Sequence, residues 1–275
     1  MSREQLLLGL VALVGGTLAW LLAPVRDGGA TGPAWVRERR AWRLLVAPII
    51  VIAMGTATLF GWALQEPELT DERLSLVAWF VVVIVLALWT RALARFGRSL
   101  TRRPALPIAV VGLMKPRIVF DPALSYMLDA DAFGAALAHE EAHRRHRDPL
   151  RIALAQLAVD LQWPWPQARR RLASWREALE EARDDEAICD GAHPDDLAAA
   201  IIGAARLAGQ GSGAALTGLH AIERRIGRLL ESGPRERPGR SIAFAAIVGS
   251  GLLTAAVIGF VYGEELIARL PGVMR

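Results

Sequence analysis

The chain has 275 residues, 53% hydrophobic and 22% charged, with 32 Lys and Arg against 28 Asp and Glu for a net charge of +4. The basic residues are nearly all Arg (Lys115 is the only Lys), and they crowd beside apolar runs without forming a stripe interleaved with aromatics, which argues against nucleic-acid binding. The single cysteine, Cys189, excludes an intramolecular disulfide and a Cys-based zinc site.

Four apolar blocks stand out, three near the start of the chain at about 6–25, 44–64 and 74–90 and one near its end at about 241–263. An α-helix needs roughly 20 residues to cross a bilayer's hydrocarbon core, so these blocks predict four transmembrane helices. The first is longer than the ~7–15-residue apolar core of a secretory signal and reads as a retained span. Arg-rich segments lie between the first two blocks, after the third and before the fourth. The segment between the second and third is acidic, with Glu66, Glu68, Asp71 and Glu72. Positive loops stay in the cytosol. The expected division is therefore three spans in 1–96, a cytosolic domain in 97–240, and a fourth span with a short external tail in 241–275, the amino terminus also lying outside. The lipid bilayer is an expected partner.

Within 97–240, Ile108–Val111 and Arg117–Phe120 read as a hairpin about Gly112 and Pro116. Asp129 or Asp131 is placed to cap a helix running through Ala132–Arg145. Asp148-Pro149 reads as an N-cap and first position of a helix to about Gln162. A long charged helix is expected from Pro164 or Pro166 to about Cys189, stopping near Gly191. Further helices follow Pro194 and span about Ala215 to Glu231, and Ser232–Gly239 reads as a linker. The expected fold is mainly α, integral to the membrane, with a helical zincin-like domain carrying one small β hairpin.

The chemistry lies in His139-Glu140-Glu141-Ala142-His143, an H-E-x-x-H pattern. Residues four apart share a helix face, so both imidazoles can aim at one metal ion. Glu140, one step round, can serve as general base to a water acidified by zinc. A tetrahedral catalytic zinc needs a third protein ligand. The long charged helix offers Glu177, Glu180, Glu181, Asp184 and Asp185. Glu180 with Asp184, and Glu181 with Asp185, have the same spacing, so spacing alone does not choose between them.

These residues lie in a run that resembles the BlaR/MecR-type membrane zinc metallopeptidases of bacteria. It comprises Lys115-Pro116-x-Ile118, His139-Glu140-x-x-His143-x-Arg145-x-Arg147-Asp148-Pro149-Leu150, Trp163-x-Trp165-Pro166, Glu180-Glu181-Ala182-Arg183-Asp184-Asp185 and Ile222-Glu223-Arg224-Arg225-Ile226-x-Arg228-Leu229-Leu230. The resemblance covers about Ile108–Gly263. It implies a gluzincin-like site with Zn2+ on His139, His143 and Glu180, Glu140 as the catalytic group, and Asp184 orienting a ligand imidazole. Arg183 stands where that family usually has Cys, a departure expected to alter packing more than chemistry. The resemblance further implies a regulatory endopeptidase in the bacterial inner membrane, acting on a cytosolic protein such as a transcriptional repressor, and is compatible with a homodimer. About a dozen residues follow Gly263 and no Ser-x-x-Lys motif is present, so a penicillin-binding sensor domain is not expected.

Three rival functions stay open: a membrane-protein quality-control peptidase, a non-catalytic transducer with structural zinc, and a plain membrane structural protein. His220 or Arg224 is the candidate to stabilise a tetrahedral oxyanion, which needs a positioned donor. His146 lacks the spacing of a third ligand, His193 reads as part of a turn, and Asp148 as a helix cap. Trp163 and Trp165 are read as anchors at the membrane surface, and the hairpin near Val110 as a strand that could pair with a substrate peptide.

Overall fold

Helix ends follow local chemistry. The computed structural model describes residues 32–63, 83, 87, 90–98, 106–162, 166–209, 216–231 and 235–236. In chain order these form α1 (Ala34–Ala63), a helical stretch over 90–98, β1 (Ile108–Val111), β2 (Arg117–Phe120), α2 (Pro122–Met127), α3 (Ala130–Arg145), α4 (Asp148–Leu161), α5 (Pro166–Cys189), α6 (Pro194–Gly209) and α7 (Leu216–Leu230). The strands pair antiparallel, with Ile108 opposite Phe120 and Val111 opposite Arg117. Their turn requires Gly112, at φ 95°, because a Cβ there would lie 2.7 Å from the Lys115 carbonyl oxygen.

Asp129 caps α3, its Oδ1 accepting from the Ala132 amide at 2.7 Å. Asp121 does the same for α2, accepting from the Ala123 amide ahead of Pro122. That helix was absent from the expected elements although its Asp-Pro signal is plain in the sequence. At α4 the same dipeptide behaves differently. Arg147 takes the N-cap position in the left-handed region, φ 52°, and Asp148 turns its side chain into the interior instead of capping.

Among the described residues, no helix is long and apolar enough to cross a membrane. This corrects the expected integral-membrane architecture of four spans and leaves a mainly helical chain with one two-stranded hairpin. Blocks 6–25 and 241–263 and nearly all of 74–90 lie outside the described residues, as do Trp163, Trp165 and most of the expected linker. Residues 44–63 are helical within α1. The first half of α1 shows why it behaves as part of the domain. It carries Arg37, Glu38, Arg39, Arg40 and Arg43, and its Leu45 packs on protein, against Val159 of α4 and Leu172, Trp175 and Leu179 of α5. Pro48 cannot donate to the Leu44 carbonyl, and Arg171 of α5 supplies that bond at 3.1 Å. Gln162 donates likewise to the Leu45 carbonyl at 3.1 Å.

Three apolar clusters then fix α3 and α5. One joins α1, α4 and α5. A second joins Ala135 of α3, Ala187 of α5, Leu197 and Ala198 of α6, and Leu229 of α7. The third packs Ile108 of β1 and Leu124 of α2 on Ala136 and Ala200. The buried apolar residues of α3 are all alanines (Ala132, Ala135, Ala136, Ala142), and α5 buries Ala178, Ala182 and Ala187. Interhelical distance follows the size of the side chains at the contact, so these faces let α3 and α5 approach closely. That brings the imidazoles of one helix to the carboxylates of the other.

Candidate metal centre

His139 and His143 project from one face of α3 with their Nε2 atoms 3.1 Å apart. Glu180 of α5 closes the group, with Oε2 3.4 Å from His139 Nε2 and Oε1 3.7 Å from His143 Nε2. One ligand atom from each of the three lies within 4.8 Å of the others. Zinc bonds of about 2.0–2.2 Å in tetrahedral array hold their ligand atoms roughly 3.3–3.5 Å apart, so the donor set and its spacing fit that ion. Both imidazoles are buried, while the Glu180 side chain keeps 35% of its surface exposed and gives the centre an open side.

Each imidazole is backed by a buried carboxylate at its other nitrogen. Asp148 Oδ2 lies 2.9 Å from His143 Nδ1. Asp184 Oδ1 lies 3.0 Å from His139 Nδ1, close enough for an ion pair but off the line of a good hydrogen bond. A carboxylate at Nδ1 leaves Nε2 with its lone pair towards the ligand position and raises ligand basicity. The carboxylates are in turn held by arginines. Arg225 of α7 grips Asp184 through Nε and Nη2, at 2.9 and 2.7 Å, and reaches Glu180 at 3.0 Å. Arg183 donates to Asp148 at 2.6 and 3.3 Å, and Arg151 at 3.0 Å. Arg151 continues to Glu38 of α1, which also accepts from the Trp175 indole at 2.9 Å.

This network sets the protonation states. Burial opposes charge on His143, but Glu180 and Asp148 outweigh it and push its pKa up to about 10. His139 is raised in the same manner, burial being overcome by Asp184 and Glu180. Burial would lift Asp184, yet Arg225 and His139 bring it down to about 2. Asp148 is held well below the usual carboxylate range by His143 and Arg183 against the same burial. Glu180 is lowered chiefly by Arg225 and His143, again against burial. A place that favours positive charge on both rings favours a cation between them on the same electrostatic grounds, with release of the ring protons.

The structure thus brings together His139, His143, Glu180 and Asp184. Glu140 is buried beside them on α3, its carboxylate near enough to Arg225 to help hold the guanidinium charged. Glu181 and Asp185, the competing pair, turn elsewhere: Glu181 to Arg37, and Asp185 to Arg228 and Arg235. His220 is not brought to the centre; it is highly exposed and contacts Glu223 at 3.3 Å. Arg224 is exposed and engaged by Glu177 at 2.8 Å. Its neighbour Arg225 is the one that turns inward. His146 bonds Glu186 at 2.8 Å, and His193 accepts from the Asp195 amide at 3.4 Å.

Asp148, Arg183, Arg225 and Glu38 are the residues that sequence reasoning missed. Arg183, expected to alter packing more than chemistry, is buried under Asp148 and Glu186 and donates to both. Comparison with known proteins finds no matching family, no matching curated protein and no matching solved structure.

Proposed function

We propose that the chain is a zinc-dependent endopeptidase, with the cation held by His139, His143 and Glu180. The observation that carries this reading is the convergence of two Nε2 atoms and one carboxylate while a buried carboxylate backs each imidazole. A divalent cation held there by His139, His143 and Glu180 would polarise a scissile carbonyl and acidify a water. Glu140 takes the proton of the attacking water and delivers it to the leaving amine, the two halves of general base and general acid catalysis. Asp148 fixes the tautomer and aim of His143, and Asp184 holds the His139 ring through its charge. Arg225 keeps Asp184 ionised and steadies Glu180. The half-exposed flank of Glu180 is where a peptide gains access, and the resemblance noted in the sequence adds a repressor-type protein as substrate.

The Glu140→Gln variant tests this. It should retain about one zinc per chain and lose peptide hydrolysis by about 10²–10⁴-fold, the usual share of a positioned acid–base group. Undiminished proteolysis by the pure variant would remove Glu140 from the mechanism. A purely structural metal predicts that the variant behaves as wild type in every assay.

A further inference from the structure

Beside the metal centre, between α5 and α7, lies a cavity of about 200 Å³ bordered by Glu180 and Arg225. Its remaining charged lining comes from Arg176, Glu177, Glu181 and Arg224. Nearly all of these charges are satisfied from within the chain. Glu177 is held by Arg224, Glu181 by Arg37, and Arg225 by Asp184 and Glu180. Arg176 is the exception: among the described residues it makes no hydrogen bond or ion pair, feels Glu180 only at a distance, and is partly desolvated. Glu180 is also the group that a bound cation would engage, which would leave the Arg176 guanidinium as the uncompensated charge of the cavity. Ala221 and Ile222 give the opposite wall an apolar surface.

We propose that this cavity is a substrate subsite for an acidic side chain, received by Arg176. The inference rests on the peptidase reading above and names a substrate class for the same centre. Arg176 precedes Glu180 by four residues on α5, one helical turn or about 5.4–6 Å along the same face. An extended peptide advances about 3.3 Å per residue, so the acidic residue falls within about two positions of the cleaved bond. The Ile222 wall suits the methylenes of glutamate better than the shorter aspartate.

The test uses the full chain, zinc-loaded and carrying Glu140→Gln so that peptides are bound without being cut. The protein is immobilised and exposed to a library of proteome peptides produced by chymotrypsin. The same is done with Arg176→Ala and Arg176→Glu added, both at an exposed position, and circular dichroism checks that each variant keeps the helical fold. Acidic peptides should be retained about fivefold over neutral ones, the scale of a solvent-accessible ion pair, and less so as salt screens the pair. Arg176→Ala should abolish the preference and Arg176→Glu should turn it towards Lys and Arg peptides. Identical peptide sets on all three proteins would overturn the subsite. Cleavage of the library by wild type is scored separately: failure to cut any peptide counts against the peptidase reading, while the retention pattern still decides what the cavity binds.

Discussion

The two imidazoles face the same point but are held by very different surroundings. His143 is backed by Asp148, which two arginines grip, and the chain of contacts runs on through Arg151 to Glu38 and Trp175, joining α3, α4, α5 and α1. His139 is backed by Asp184, which among the described residues is held beyond the ring itself by Arg225 of α7. Arg183 is 2% exposed as a side chain and Arg225 18%. The first arm is therefore built into the core and serves the fold as well as the ligand. The second sits at the edge of the centre, where it touches Glu180 and the cavity. Two imidazoles that face one point need not share a structural role.

The widest separation between the arms should come from removing each carboxylate. Asp148→Ala strips the buried Arg183 of its closest partner and leaves it Glu186 at 3.0 Å; breaking a buried ion pair in this way costs about 3–5 kcal/mol, read as a lower unfolding free energy in urea. Asp184→Ala leaves Arg225 with Glu180 and partial access to water, so the same measurement should show less than about half that loss. Equal losses would erase the distinction between the arms.

Metal binding should respond to the other arm. Asp184→Asn weakens the hold on His139 without removing bulk, and loss of such a supporting carboxylate lowers zinc affinity by about 10–100-fold, measured by chelator competition. An unchanged affinity would make Asp184 a bystander.

Acidity offers a third comparison. The folded-state pKa of His143 is raised to about 10 from an ordinary 6.5, so the stability from its charged form is complete below about pH 6.5 and lost as pH climbs through 10. Zinc needs the neutral ring. Apparent zinc affinity should thus rise with pH through that window while the metal-free fold weakens, and a flat affinity between pH 7 and 9 would contradict the assignment. Asp184, lowered to about 2, contributes stability above about pH 4 that fades as pH falls towards 2.

The smallest effect belongs to Glu38, the far end of the core arm. Glu38→Leu leaves the Trp175 indole N–H without its acceptor and should cost about 1–3 kcal/mol. Glu38→Gln keeps an acceptor oxygen and should recover most of it. If both variants melt alike, the contact to α1 is incidental.

Much of this architecture was legible before any coordinates. Proline, glycine and aspartate mark the ends of α3, α5 and α6 and the hairpin turn because their backbone chemistry is local. The pair His139 and His143 is equally local, one helical turn apart. The choice of Glu180 over Glu181 could not be read from spacing, since Glu180/Asp184 and Glu181/Asp185 are both four apart. It is made by packing, which turns Glu181 towards Arg37 from 144 positions earlier in the chain. Asp148 was hidden by its neighbour: Asp-Pro reads as a cap, and only the left-handed Arg147 frees the side chain to enter the core. Arg183 and Arg225 act across 35 and 41 residues of sequence, distances at which charge pattern carries no pairing information. The expected span at 44–64 shows the reverse error. The block at 44–64 was judged by its charge-free length and by the Arg-rich segment before it, yet α1 runs through both and packs Leu45 on α5.

The central claim is that α3 and α5 jointly hold one cation. Purified wild type and Glu180→Gln, each equilibrated with zinc and freed of excess, can be compared by elemental analysis. One zinc per chain in wild type and less than a tenth of that in the variant is the predicted result. Equal zinc in the two proteins, or none in wild type, would contradict it.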